Sequence, residues 1–249
     1  MAKFKLEIYP STEALNHAMA ERFVAVASLA ISSRGRFMAV MSGGNTPLGF
    51  YRMLSVTPFK ALLDWRFIHV FWSDERRVDQ NEPLSNFYQT HVALLDKVPL
   101  PSDQIHKIQS DIDPGISAMN YAKELIRYKT PPLDWPVFDW ILLGLGVDGH
   151  TASIFPGMPL NNSDAVIAAS GKYKDRPSER ITMTPEVINY GREVIFMVSG
   201  TEKSGILSRV LEGPYDPEAL PAQRIQPFQG NLTWMVDHEA ARDLKNRSV

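Results

Sequence analysis

The chain has 249 residues with 44% hydrophobic residues, a net charge of −2 and no cysteine. A charge this close to zero does not favour a nucleic-acid or membrane-surface binder. The absence of cysteine excludes disulfides, thiolate metal sites and a cysteine nucleophile. No apolar run reaches the roughly 18 residues of a membrane helix, and the first residues lack the apolar core of a signal peptide. We therefore expect one cytoplasmic domain over residues 1–249, either a monomer or a small homo-oligomer, with no nucleic-acid or membrane partner.

The first half of the chain alternates between strand and helix patterns. Thr46 and Pro47 are residue types typical of an N-cap and a first helical position. Apolar spacing predicts strands at 4–9, 36–41 and 66–72, and helices at 12–32, 46–54, 84–95 and 116–128.

The second half begins with the most strongly apolar segment, residues 138–145, which is typical of a strand buried on both faces. Further strands are predicted at 166–169, 180–184, 194–198 and 232–236, with helices after Pro185 and Thr201. Strand and helix in repeated succession predict an α/β fold with a mostly parallel sheet and helices on both faces.

Four unusual segments follow predicted strands: SGGNTP (42–47), SDER (73–76), GLGVDGH (144–150) and SGTEK (199–203). In open parallel sheets, ligands bind beyond the carboxyl ends of the strands. The four segments are therefore predicted to build one site.

The first segment is a candidate anion site. Gly43 and Gly44 allow a tight turn and close approach of the backbone to a ligand, and a following helix would present unpaired N–H groups. The segment is neither a P-loop nor a GxGxxG fingerprint, so it does not imply nucleotide binding. The plain alternative is a well-capped turn between strand and helix.

The second segment places two acids beside arginines. Asp74 and Glu75 could orient neighbouring groups or substrate hydroxyls, and Arg76 could bind a carboxylate or a developing oxyanion. The alternative is a solvated cluster of ion pairs.

The third segment joins a buried strand to three glycines, Asp148 and His150. The unperturbed pKa of histidine, about 6.5, suits a general base, and an aspartate could fix its tautomer. The alternative is a histidine that caps a turn.

Lys203 is a candidate anion ligand, because a lysine near a helix N-terminus is unfavourable unless an anion lies between the lysine and the helix end. Arg180, at the start of RITMT, is a second candidate anion ligand. The alternative is that Lys203 is an ordinary solvated lysine.

Taken together, SGGNTP, SDER, Ser85-Asn86, DGHTASIFP, RITMT and SGTEK resemble the 6-phosphogluconolactonases in order and spacing, from Phe4 to about Asp237. DGHTASIFP is the most specific part. The resemblance implies a Rossmann-like sheet with a smaller α/β portion, no metal or organic cofactor, and a phosphorylated sugar lactone as the small-molecule partner. The implied activity is hydrolysis of 6-phospho-D-glucono-1,5-lactone, the second step of the oxidative pentose phosphate pathway.

The resemblance also implies roles for individual residues. The catalytic histidine falls on His150, which we expect to activate a water with support from Asp148, Arg76 and Asp74. Glu75 and Gly149 are expected to contact the substrate. The phosphate ligands fall on Gly43, Gly44, Asn45, Thr46, Arg180 and Lys203. No G-x-S-x-G elbow or H-E-x-x-H spacing occurs, so water is the expected nucleophile and no metal site is predicted.

Three alternatives remain open. The related glucosamine-6-phosphate deaminases share the DGH triplet but follow it with an IAFNEP-like stretch, whose glutamate supports ring opening. Phe155 stands at that position here, and an apolar ring cannot carry a proton. A non-catalytic sugar-phosphate sensor on the same fold is the second alternative, and a structural or interaction module is the third.

Overall fold

The computed structural model describes residues 4–160, 164–171 and 177–246. Its strands form a seven-stranded sheet and a three-stranded sheet. The strands are β1 (Lys5–Tyr9), β2 (Phe37–Met41), β3 (Ile68–Trp72), β4 (Asp74–Arg76), β5 (Ile105–His106), β6 (Trp140–Leu143), β7 (Val166–Ser170), β8 (Glu179–Met183), β9 (Glu193–Val198) and β10 (Asn231–Asp237).

The large sheet has the strand order β1-β10-β9-β6-β2-β3-β5, and all its pairs are parallel. The chain extends the sheet to one side through β2, β3 and β5, and then to the other side from β6. The order therefore reverses between β2 and β6, and such a switch point is where doubly wound sheets bind ligands. All four residues of β6 are buried, which confirms the prediction of a strand covered on both faces.

The α-helices flank the large sheet, so the predicted α/β class is confirmed. In α1, Ser11 is the N-cap, and Gly35 ends the helix in the left-handed conformation at φ 76°. The helices are α1 (Thr12–Arg34), α2 (Leu48–Leu54), α3 (Phe59–Leu62), α4 (Asn86–Ala93), α5 (Pro114–Ile126), α6 (Pro185–Ile188) and α7 (Ser204–Glu212).

An aromatic cluster lies where α1 packs on the large sheet. Phe23 of α1 meets the rings of Phe37, Phe50 and Trp140 edge-on, with centroids 5.0–5.7 Å apart. All four side chains are buried, so the cluster joins helix and sheet in one core.

The small sheet has the order β4-β8-β7 and is antiparallel. The sequence pattern predicted that the strand at 66–72 ends at residues 73–76, but the chain continues from β3 into β4. Ser73 makes the transition, since its N–H donates to Met41 O in one sheet and its carbonyl accepts from Met183 N in the other. This continuation places the acidic and basic side chains of β4 directly after the carboxyl end of β3.

The prediction for residues 46–54 was wrong about where the helix begins. Thr46 is not the N-cap, because α2 begins at Leu48 after Pro47, and Pro47 makes no side-chain capping hydrogen bond. α2 has only seven residues, and Pro47 has no N–H to offer. A helix N-terminus therefore adds little to anion binding here.

α3 and β5 were not predicted, since elements of four and two residues carry no clear periodicity. Among the described helices, none is long and apolar enough to cross a membrane.

Candidate active site

A cavity of about 220 Å³ lies at the carboxyl ends of β2, β6 and β9, and all four predicted segments reach it. The structure thus brings together residues that are up to about 160 positions apart in the chain. Of the predicted site residues, those that line the cavity are Gly43, Gly44, Asn45, Thr46, Asp74, Arg76, His150, Arg180 and Lys203. Asp148, Glu75 and Gly149 are not among the lining residues.

Asp148 reaches the cavity through His150. Its Oδ1 lies 2.5 Å from Nδ1 of the imidazole and also accepts the His150 backbone N–H at 3.2 Å. Burial would raise the pKa of Asp148, but the hydrogen bond and charge of His150 outweigh it and hold the pKa below its ordinary 3.8. An ionised Asp148 accepts from Nδ1–H, so the lone pair of the neutral ring is on Nε2.

The glycines of this segment serve two different contacts. A side chain at Gly146 would overlap the His150 ring, with an added β-carbon 2.7 Å from Asp148 Oδ1. The glycine therefore leaves room for the histidine–aspartate pair. Gly149 has φ 91°, and an added β-carbon would lie 2.8 Å from Leu220 Cδ2. Gly149 does not line the cavity, its N–H donates to Gly146 O and its carbonyl accepts from Ala222 N, which corrects the expectation that it contacts the substrate.

The double-glycine turn is supported from α4. A side chain at Gly43 would overlap the amide of Asn86, and Gly44, at φ 94°, donates its N–H to Gln89 Oε1 at 3.0 Å. Asn86 itself lines the cavity. The Gly44 N–H was expected to bind phosphate, but its hydrogen bond goes to Gln89. Sequence reasoning missed Gln89, because no motif surrounds it.

The side chains of residues 74–76 point alternately to the two faces of β4, as in any strand. Asp74 and Arg76 line the cavity, and the Asp74 carboxylate accepts from Ser153 Oγ at 2.6 Å and Ser73 Oγ at 3.1 Å. These two hydroxyls fix the carboxylate at the cavity wall.

Glu75 points the other way, which corrects its expected role in substrate binding. Its carboxylate accepts the backbone N–H groups of Arg76, Asn86 and Phe87 at 2.7–2.8 Å. It also accepts from Ser85 Oγ at 3.0 Å. Burial raises the pKa of Glu75, and these hydrogen bonds only partly oppose the rise. Glu75 therefore anchors the first turn of α4 to β4.

Two arginines face each other across the small sheet. Arg76 of β4 and Arg180 of β8 are register partners, both are at least 95% buried, and both line the cavity. Directly opposed residues on neighbouring strands lie on the same face of a sheet, so both guanidinium groups reach the cavity from the same face. Arg76 Nη1 donates to Leu84 O at 2.5 Å, and Lys203 Nζ donates to Leu145 O at 2.7 Å. The cavity therefore brings His150, which Asp148 holds, together with a cationic wall formed by Arg76, Arg180 and Lys203.

The residues that the structure describes hold no group of three or more His, Asp or Glu side chains placed to bind a metal ion.

Comparison with known proteins identifies the family. The family profile described as "Glucosamine-6-phosphate isomerases/6-phosphogluconolactonase" matches residues 10–234. The chain belongs to this family. It is 40% identical to a 6-phosphogluconolactonase from Synechocystis, over 87% of this chain and 88% of that protein. It is 36% identical to one from Nostoc, over 97% of this chain and 99% of that protein.

Solved structures of the glucosamine-6-phosphate isomerase/6-phosphogluconolactonase family share the fold. The structure of 6-phosphogluconolactonase from Trypanosoma brucei matches with a TM-score of 0.84 at 26% identity, over 98% of this chain and all of that one. A glucosamine-6-phosphate deaminase matches with a TM-score of 0.82 at 18% identity, over 96% of this chain and all of that one. At that identity the deaminase shares the fold alone, so the choice between the two activities depends on the residues of the cavity.

The position expected to distinguish the two activities is apolar in this chain. Phe155 lines the cavity, and its ring centroid is 5.0 Å from that of His150. A side chain at Gly171 would overlap the Phe155 ring, so the phenylalanine is closely packed where it stands. The residue next to the histidine at this point therefore supplies a hydrophobic wall and no proton-carrying group.

Proposed function

We propose that the chain hydrolyses 6-phospho-D-glucono-1,5-lactone to 6-phosphogluconate, the second step of the oxidative pentose phosphate pathway. One observation carries the proposal: a single cavity is lined both by His150, which Asp148 holds by a hydrogen bond, and by a cationic wall. Such a cavity suits a substrate with an ester at one end and a phosphate at the other. The relatives named 6-phosphogluconolactonase, which align over most of the chain, support the same reaction.

The phosphate binds at the turn formed by residues 43–46, where Lys203 and Arg180 neutralise its charge. Arginine suits this role because its planar guanidinium is always ionised and binds oxyanions in pairs of hydrogen bonds. Binding at this remote group holds the lactone ring in one position, which lowers the entropic part of the barrier.

His150 acts first as a base and then as an acid. Nε2 takes a proton from water as the water oxygen bonds to C1 of the lactone, and the carbonyl oxygen becomes an oxyanion. Asp148 stabilises the imidazolium, and Arg76 with nearby backbone N–H groups stabilises the oxyanion. As the carbonyl re-forms, the bond from C1 to the ring oxygen breaks, and His150 returns its proton to that oxygen. Asp74 accepts a hydrogen bond from a sugar hydroxyl.

The reaction has a simple setting in this proposal. The chain works as a single domain in the cytoplasm, as a monomer or small homo-oligomer, with no metal or organic cofactor and no nucleic-acid partner. Its partner is the phosphorylated lactone itself.

An assay with two substrates tests the activity. The purified chain should accelerate loss of 6-phosphogluconolactone above its spontaneous rate, with a lower KM than for the non-phosphorylated gluconolactone. It should release no ammonia from glucosamine 6-phosphate, because Phe155 cannot support ring opening. Ammonia release would favour the deaminase. Tight binding of 6-phosphogluconate without any rate enhancement would favour a non-catalytic sensor.

A further inference from the structure

The double-glycine turn is supported by a side chain behind it, outside the cavity. Gln89 of α4 accepts the Gly44 N–H through Oε1 at 3.0 Å, and its Nε2 donates to Pro83 O at 2.8 Å. Gln89 is not among the residues that line the cavity. A ligand in the cavity therefore has no direct contact with this amide.

We propose that Gln89 is a positioning residue for the phosphate-binding turn, an inference that rests on the proposed function. The amide bridges two backbone groups and fixes the direction of the Gly44 peptide. Because Gly44 adopts φ 94°, a region that glycine enters and leaves easily, the conformation of the turn needs an outside contact to hold it. Gln89 supplies that contact.

The rest of α4 makes Gln89 a rigid support. Glu75 anchors the first turn of α4, and Asn86 donates Nδ2 to Asp74 O at 2.9 Å. The Asn86 amide also packs directly against Gly43. α4 thus joins β4 to the glycine turn, so the two walls of the cavity are held at a fixed distance.

This arrangement predicts which kinetic constant depends on Gln89. Loss of the amide frees the turn, so the groups that bind phosphate are ordered only when the substrate binds. The Asp148–His150 pair is untouched. A neutral hydrogen bond of ordinary strength corresponds to about a 3- to 10-fold change in an equilibrium constant. We expect KM for the phosphorylated lactone to rise by about that factor, with kcat changed less than about 2-fold.

The test uses Gln89→Met, which keeps the length of the side chain and removes both hydrogen bonds. Gln104→Met is the matched control, because Gln104 also donates from Nε2 to a backbone carbonyl, that of Arg66, at 2.6 Å. KM and kcat are measured for the phosphorylated and non-phosphorylated lactones. Kd for 6-phosphogluconate and for inorganic phosphate is measured by calorimetry.

A second measurement does not depend on catalysis. Hydrogen exchange of the Gly44 amide, followed by NMR, should be faster in Gln89→Met than in the parent chain. The slow exchange of the parent chain should be restored in Gln89→Glu, because the carboxylate keeps a hydrogen-bond acceptor at this position. If Gln89→Met fails to fold, Gln89→Ala gives the same comparison.

The outcomes separate this inference from the proposed function. A parent chain that does not hydrolyse the lactone contradicts the proposed function, while phosphate binding and exchange still test Gln89. Unchanged KM and Kd in Gln89→Met would overturn the positioning role. An equal rise in KM for both lactones would also overturn it, because the effect would then not depend on the phosphate.

Discussion

His150 and Asp148 leave little space for their neighbours. The imidazole lies so close to Gly146 that any larger residue there would overlap it, and its side chain is only 16% exposed. The pair is therefore fixed by the glycine-rich turn after β6. In the proposed mechanism this pre-organisation keeps Nε2 as the proton acceptor.

Replacing His150 tests that assignment. His150→Gln should lower kcat by about 10²- to 10⁴-fold, the usual contribution of a general base, because an amide cannot accept the proton from water. Lactone hydrolysis is followed by proton release, with circular dichroism to check the fold. His238→Gln, at an exposed position, is the matched control. Turnover of His150→Gln within about 3-fold of the parent would remove His150 from the role of base.

Some residues at the cavity could be recognised from the sequence, and others could not. The location of His150 and the glycine turn at the cavity was predictable, because glycines directly after a strand indicate a tight turn or close approach of the backbone to a ligand. Glu75 was assigned to the substrate by the family resemblance, and the sequence pattern did not predict that residues 74–76 form a strand. In a strand, its carboxylate points away from Asp74 and Arg76. Gln89 gave no signal, since its role depends on a contact with Gly44, which lies 45 positions earlier.

At the scale of elements, the edge strand β5 is held by a chain of titratable groups. His69 Nδ1 lies 3.0 Å from His106 Nε2, and His106 Nδ1 lies 2.8 Å from Glu124 Oε1. Glu124 also pairs with Arg127 at 2.9 Å. The chain connects β3, β5 and α5. β5 has two residues, which is too short for a sequence pattern to reveal.

The two histidines of this cluster lead to a prediction about how stability depends on pH. Burial, and next the charge of His106, lower the pKa of His69 from 6.5 to about 4. The charges of Arg36 and Asp103 have smaller and opposite effects, and burial also lowers the pKa of His106. At His69 the unfolded chain therefore binds more protons than the folded chain between pH 6.5 and about 4. The contribution of this histidine to stability should fall as the pH is lowered through that window.

His69→Gln tests the prediction, because glutamine donates a hydrogen bond without titrating. Its free energy of unfolding, measured in urea, should fall less between about pH 7 and pH 5 than that of the parent. His17→Gln is the control, since the side chain of His17 is 56% exposed. An identical fall in parent and His69→Gln would contradict the buried, neutral state of His69.

At the scale of the whole molecule, the sheet order explains why distant segments meet. The alternation of strand and helix was enough to predict a parallel sheet, and the carboxyl ends of its strands carry the four segments. The antiparallel sheet was not predictable, because the pairing of β4 with β8 joins residues about 105 positions apart. That pairing brings Arg76 beside Arg180. The cationic wall is therefore a product of the tertiary fold.

In the proposed function one substrate spans the cavity, with its phosphate at the glycine turn and its C1 at His150. A crystal structure with 6-phosphogluconate bound tests this most directly. We expect the phosphate to lie against residues 43–46 with Lys203 and Arg180 as partners. We also expect the C1 carboxylate to lie within hydrogen-bond distance of His150 Nε2. A product bound in the reverse direction, or bound outside this cavity, would contradict the claim.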